Sequence, residues 1–257
     1  RNEGRNLVLT DAGMAALHEA DHIFALGELL PIRVREAAAG QTLRLNLGIS
    51  DGIAKLAVHR LLRTVLEEPH LRLLCHEGEF QPLLGELALH KLDAVLADRA
   101  APTNPHLRAS SQLLGSSAIA WYAPPLWAEA AAHQFPHSLA VVPVLLPTHH
   151  AAVRARMDHW LEQERIRPRI AGEFEDSALL STFATSGMGV MPAPISLGNH
   201  LQQTFGLVQI GATPEVSEEF HLIYSARKVM HPLVTRLLET GPQERLLNPQ
   251  AALQAPP

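Results

Sequence analysis

The chain has 257 residues, 47% of them hydrophobic, with 21 Lys and Arg against 26 Asp and Glu, giving a formal net charge of -5. That length buries a sizeable core in one or two domains, and the charge gives no general attraction to nucleic acid, so any contact with DNA is local or made by residues outside this chain. A single cysteine, Cys75, excludes a disulfide framework within the chain and fits a reducing, cytoplasmic compartment.

No apolar run is long enough to cross a bilayer, and the start, Arg1 to Arg5, lacks the apolar region of a signal peptide. The first residue is not Met, which suggests an N-terminus cut away from a longer protein. Arg1 to Leu9 reads as the second half of a β-hairpin, with Thr10 or Asp11 capping the next element. From Ala12 to Ala39 one long helical pattern follows, interrupted only at Pro31 and ended by Gly40. An apolar-faced helix outside a core needs a partner, and a second copy of itself is the economical one.

Inside that helix His18-Glu19-Ala20-Asp21-His22 satisfies H-E-x-x-H, the spacing that puts two imidazoles and a general base on one helical face of zinc proteases. That chemistry also needs a third ligand and a cleft. The segment adjoins a hairpin and a linker turn, so the stretch reads as two histidines on a solvated or dimer-facing stripe, with a zinc metalloprotease as the minor alternative.

The region from Gln41 to Glu68 organises the rest. Leu43, Leu45, Leu47 and Ile49 alternate with Arg44, Asn46 and Gly48, the period of a strand. A polar turn, Ser50-Asp51-Gly52, then leads into a helix from about Ile53, with Ser50 or Asp51 as its cap. A second strand, Leu71 to Cys75, ends in His76-Glu77-Gly78-Glu79; a helix spans about Pro82 to His90, and a third strand, Leu92 to Ala97, ends in Asp98-Arg99. Strand, helix, strand, helix, strand predicts a parallel sheet, whose carboxyl edge gathers Ser50, Asp51, Glu77, Glu79 and Asp98, where open α/β sheets bind small ligands.

Beyond Pro102 a second set begins: strands over Leu114 to Tyr122 and Val141 to Leu146, a helix over Ala151 to Gln163, a strand over Arg167 to Phe174, and a helix from Ser177 to Ser186. Gly187-Met188-Gly189-Val190-Met191-Pro192 lacks the lysine of a P-loop and the third glycine of a dinucleotide fingerprint, so it reads as a turn into a buried strand. Leu207 to Ile210 and Phe220 to Ala226 are expected as separate strands, His231 to Thr240 as a helix, and Leu246 to Pro257 as a flexible tail. The fold expected is α/β, two Rossmann-like lobes with crossings near residues 110 and 200 and a cleft that binds a small solute. Acidic cleft edges favour a cation and helix N-termini favour an anion, so the residues leave the ligand's sign open.

The opening Arg-Asn-Glu-Gly-Arg-Asn-Leu-Val-Leu-Thr-Asp-Ala-Gly resembles the wing and exit of the winged helix-turn-helix of LysR-type transcriptional regulators. The linker helix, Gly48-Ile49-Ser50, Glu77-Gly78, Lys91-Leu92-Asp93 and Gly187 to Pro192 follow the same pattern in order, across nearly the whole chain. Within the family, His90 to Asp93, Gly172 to Asp176 with Ala178-Leu179, and Ala226 to Lys228 running on to His231-Pro232 are similar to the branch that activates sodium/proton antiporter genes.

The resemblance implies two lobes of the periplasmic-binding-protein type II kind in a transcriptional activator, a homo-dimer or tetramer with no enzymatic activity, no membrane partner and no cofactor, with Na+ or Li+ as its effector. It divides the chain into a wing remnant (1–13), a linker dimerisation helix (14–40), lobe I (41–110 and 201–245), lobe II (111–200) and the tail (246–257). Promoter DNA would be bound through an N-terminal domain missing here, of which only Arg1 and Arg5 of the wing remain to touch it. The effector site expected is Ser50, Asp51, Glu77, Phe80, Asp98, Glu173 and Asp176: the resemblance implies Ser50 and Phe80, the acids are additional to it, and Asp51, Glu77, Glu173 and Asp176 would supply a negative field. A free-standing two-lobed solute-binding protein is the alternative. An enzyme is disfavoured because Ser110-Ser111 and Ser116-Ser117 lack a G-x-S-x-G setting.

Overall fold

The structure is a computed structural model that describes residues 2–3, 6–7, 9–38, 42–103, 108–225 and 230–239, by the backbone alone at residues 2–3 and 6–7 and at several α1 positions. Strands β1 (Asn2–Glu3) and β2 (Asn6–Leu7) pair antiparallel, so the opening segment forms both arms of a small hairpin rather than the second half of a larger one. Helix α1 spans Asp11–Ala38, and the Thr10 hydroxyl caps it by accepting from the Gly13 N–H at 3.1 Å. It passes through Pro31 without the expected interruption, since one proline removes a single N–H donor from a 28-residue helix. Met14, Leu17, Ile23, Phe24, Leu30 and Val34 stand exposed along it. Of the H-E-x-x-H stretch, the His22 side chain lies outside the described ones, and among the described residues no group of three His, Cys, Asp or Glu is placed to hold a metal.

The next elements are β3 (Leu43–Ser50), α2 (Lys55–Leu61), α3 (Arg63–Leu66), β4 (Leu71–Gly78), α4 (Phe80–Ala88) and β5 (Ala94–Ala97). Strand β3 is covered on both faces, which its alternating pattern does not announce. Asn46 is accommodated by Asp93, whose carboxylate accepts from the Asn46 backbone N–H (2.9 Å) and Nδ2 (3.2 Å). Gly48 lets α4 and the segment before β5 close down on the strand, for a Cβ there would stand 2.8 Å from Leu92 Cδ1 and 3.2 Å from Leu83 Cδ2 of α4. Helix α2 starts later than expected and Ala54, without a side-chain cap, holds its N-cap position. Neither Ser50 nor Asp51 caps it, because Ile53 first turns fully into the core.

The remaining elements are β6 (Ala109–Ala123), α5 (Pro125–Ala132), β7 (Pro143–Pro147), α6 (Ala152–Gln163), β8 (Arg169–Phe174), α7 (Ser177–Thr185), β9 (Met191–Pro194), α8 (Gly198–Phe205), β10 (Val208–Ser225) and α9 (Pro232–Glu239). Where two strands were expected near residues 207 and 220 there is one continuous β10, which takes up Pro214 and Glu215 in a bulge between Thr213 and Ser217. Helices α5 and α8 were not foreseen.

The main sheet has the order β4-β3-β5-β10-β6-β9. Its first three strands are parallel, as expected, but β10 joins antiparallel to both β5 and β6. Strands β6 and β10 pair along most of their length and link the two lobes: β5 adds to the 221–224 end and β9 to residues 119–122. In the second lobe β7 and β8 pair in parallel, and Val144 bridges to Val190. The largest core cluster is shared, joining Leu45, Leu47, Ile53 and Leu222 to Leu145, Leu180, Ala184 and Met191. Lobes that share a core in this way hold a defined relative position.

Candidate functional site

Three structural ties cross between the lobes and frame one cavity. At its rim, Lys55 opens α2 and reaches Glu77 at the end of β4 (2.9 Å) and Asp176 ahead of α7 (3.5 Å). Asp176 also caps α7, its Oδ1 accepting from the Leu179 N–H at 2.7 Å. Asp51 turns at the end of β3 with its backbone N–H donating to Gly78. Partial burial raises its carboxyl above the usual range; Lys55 opposes that rise, and Glu77, Glu175 and Glu79 add to it. The structure thus brings Asp51, Glu77 and Asp176 together at the mouth, around a lysine ammonium.

Asp98, at the end of β5, is fully buried. It accepts from Arg99 Nε at 2.8 Å and from the Ala152 N–H, the first residue of α6. Arg99 in turn donates to the His150 carbonyl and lies 5.4 Å from the centre of the Phe80 ring. Phe80 therefore packs beneath Arg99 and is not among the residues that line the cavity. Glu173 is held apart as well: it pairs with the buried Arg154, which also grips Asp158 (2.8 Å) and the Pro147 carbonyl (2.6 Å). Ser50 is buried at the end of β3, its carbonyl accepting from the Ile53 N–H. Arg1 and Arg5 lie outside the described residues.

The cavity itself has a volume of about 190 Å³. Its walls are mostly apolar, with Leu56 from α2, Ile119 from β6, Met157 from α6, Phe174 from β8, Leu180 from α7 and Met191 from β9. Polar groups enter at few points, among them Lys55, Glu175, Ser177, His200 and Glu218. Mostly apolar walls with a few convergent polar groups are the usual form of a small-molecule site.

Glu218 is the residue that pattern reading passed over. It sits in β10 next to the bulge, 5% exposed, and its Oε1 has no hydrogen-bond partner among the described residues. Burial pushes its carboxyl up to about 8; Asp98 adds to the rise, and a hydrogen bond from the Ala54 backbone together with Arg156 oppose it. A signal was present in the sequence: Val216, Glu218, Phe220 and Leu222 alternate on the buried face of the strand, so the acid falls on a position that ought to be apolar.

Residues 38–243 match the family model described as the LysR substrate binding domain. The chain is 25% identical over 244 residues to the transcriptional activator protein NhaR of Escherichia coli K12, covering 93% of this chain and 79% of that protein. It is 29% identical over 238 residues to the nitrogen assimilation regulatory protein nac of Klebsiella aerogenes, covering 89% and 74%. Among solved structures, full-length CbnR complexed with its target DNA superposes with a TM-score of 0.64 at 18% identity, over 91% of this chain and 81% of that one. The effector binding domain of QuiR in complex with shikimate superposes at 0.57 and 13% identity, over 77% and 95%. These structures share the fold, a mixed α/β effector-binding domain of the periplasmic-binding-protein type II kind. The chain therefore belongs to the LysR family, whose members are transcriptional regulators rather than enzymes, and residues 38–243 are its substrate-binding domain.

Proposed function

We propose that this chain is the effector-sensing and oligomerisation region of a cytoplasmic, NhaR-like transcriptional activator, and that its effector is a small molecule held in the cavity between the lobes. The observation that carries the reading is the cavity's position. It is walled by elements of both lobes and flanked by cross-lobe ties at Lys55 and Asp98, so an occupant changes the balance of contacts between them. The exposed apolar residues of α1 support pairing with a second copy. We assign 1–13 to a wing remnant carrying Arg1 and Arg5 toward promoter DNA, 14–40 to the dimerisation helix, 41–110 with 201–245 to lobe I, 111–200 to lobe II, and 246–257 to a tail.

A second reading, response to sodium or lithium, is supported by the acidic rim of Asp51, Glu77, Glu175 and Asp176. The Lys55 ammonium already occupies the centre of that rim, which favours an organic occupant of the cavity over an alkali ion at its mouth. Thermal unfolding of the 257-residue chain separates the two. A cavity ligand raises the midpoint with its concentration, and Ala193→Leu, which fills the cavity wall, removes the effect. Alkali-ion sensing requires instead that NaCl or LiCl raise the midpoint above that in KCl at equal ionic strength, and that Asp51→Ala with Asp176→Ala abolish the difference. An unchanged midpoint in every ligand and salt tested overturns both.

A further inference from the structure

We propose that the cavity between the lobes takes a small organic cation, a primary amine on a ring-sized apolar body, whose ammonium is bound by Glu218. This rests on the reading of the cavity as the effector site and adds the class of molecule that fills it.

Two independent observations point the same way. The first is at the cavity wall, where Glu218 is one of the few polar residues in a mostly hydrocarbon lining and carries a buried carboxyl oxygen with no hydrogen-bond partner among the described residues. A buried polar atom left without a partner is costly, so a fold retains one chiefly where something else supplies the partner. A backbone hydrogen bond from Ala54 also reaches the Glu218 carboxyl. The second observation is at the mouth, where Asp51, Glu77, Glu175 and Asp176 surround a single Lys55. That rim attracts organic cations and repels organic anions.

Size completes the description. At about 190 Å³ the cavity exceeds one of about 150 Å³ that is known to hold benzene, so a six-membered ring with one amino group fits. Leu56, Met157, Phe174 and Met191 would contact the ring.

The charged and titratable groups around Glu218 are Asp98 from β5, Arg156 from α6, Lys55 from α2, Glu175 ahead of α7 and His200 from α8. In the empty cavity the carboxyl keeps its proton to about pH 8. A primary amine stays an ammonium ion to about pH 10. Binding therefore joins an ammonium to a carboxylate and releases the Glu218 proton to solvent, one per ligand below pH 8. Affinity rises close to tenfold per pH unit through that range and levels off above it.

Cyclohexylamine, cyclohexanol and cyclohexanecarboxylate are the probes, titrated calorimetrically into the 257-residue chain at pH 6.5, 7.5 and 8.5 in two buffers of different ionisation enthalpy. The expected result is amine binding with close to one proton released at pH 6.5 and few at pH 8.5, and at least tenfold weaker binding of the alcohol and the carboxylate. Glu218→Gln weakens the amine at least tenfold and leaves the alcohol unchanged. Amine binding without proton release, equal binding of the alcohol, or an unchanged amine affinity in Glu218→Gln overturns the inference and leaves the cavity reading in place. Failure of all three probes, with Ala193→Leu also without effect on any other ligand response, overturns both. Proton release is read on the unsubstituted chain, so the outcome does not depend on how well the variant folds.

Discussion

The Asp98 carboxylate accepts a hydrogen bond from the Ala152 backbone N–H, so an acid at the end of a first-lobe strand caps a second-lobe helix. It simultaneously holds Arg99, whose guanidinium reaches the His150 carbonyl on the loop before that helix. One buried carboxylate thus fastens β5 to α6.

Asp98→Ala removes the cap and the ion pair together. A hydrogen bond to a charged group is worth about 1.5 to 3 kcal/mol, and Arg99 is exposed enough to be solvated when its partner goes. A loss of about 2 to 3 kcal/mol is expected from urea unfolding. Asp98→Asn, which retains an acceptor for Ala152, loses less.

Gly52 approaches the same tie from the other side. A Cβ at this position would lie 2.8 Å from Asp98 Oδ2 and 3.3 Å from Ala151 Cα, one a buried carboxylate and the other backbone, and neither yields readily. Gly52→Ala is expected to push α6 away from β5 and cost about 1 to 3 kcal/mol. Combined with Asp98→Ala it costs less than the two separately, because both act on one contact. Additive losses in the double variant contradict that coupling.

The order of elements was legible because strands and helices here carry strong periods: β3, α4, α6 and α7 stand close to where their apolar spacing puts them. Helix α5 was hidden by Pro124-Pro125, which reads as a break although proline at the first helical position starts a helix well. Helix α8 opens on Gly198-Asn199-His200, whose residues favour turns, and burial of Leu201 in the shared core outweighs that preference. For the site, sheet topology put Asp51, Glu77 and Asp98 at strand ends, and the structure gathers Asp51 and Glu77 around Lys55 but buries Asp98 against α6. Topology could not separate Glu173, drawn off by Arg154 from within β8, from Asp176 three residues later. Glu218 was missed because attention to strand ends passes over an acid in mid-strand.

Lys55 pairs with both rim carboxylates, Glu77 and Asp176. Lys55→Met is expected to change stability by less than about 1 kcal/mol, because these pairs are partly exposed and screened. Its effect is electrostatic: with the ammonium gone, the Asp51 carboxyl rises further above its usual range, since Lys55 opposes the rise now. Carboxyl chemical shifts followed by NMR through pH 3 to 7 read this directly, and a fall in the Asp51 midpoint contradicts the assignment.

Arg154 is almost completely buried, yet it joins Asp158, Glu173 and the Pro147 carbonyl around one guanidinium. Lysine cannot reproduce that fork, so Arg154→Lys is expected to cost nearly as much as Arg154→Met, about 2 to 3 kcal/mol in urea unfolding. A lysine variant as stable as the parent contradicts the geometric account.

The buried Glu218 makes stability itself depend on pH, in a direction opposite to that of a salt-bridged acid. In the unfolded chain its carboxyl loses its proton near 4.5, whereas in the fold it keeps it to about 8. Between those values the folded state binds more protons than the unfolded one, so its contribution to stability declines as pH rises from about 4.5 to 8. Glu218→Gln keeps the shape and removes the titration. Relative to that variant, the parent is expected to lose up to a few kcal/mol between pH 5 and pH 8, read from urea midpoints at pH 5, 6.5 and 8. Parallel pH profiles for the two proteins would mean that Glu218 titrates as it does in water, and that its unpartnered oxygen is solvated after all.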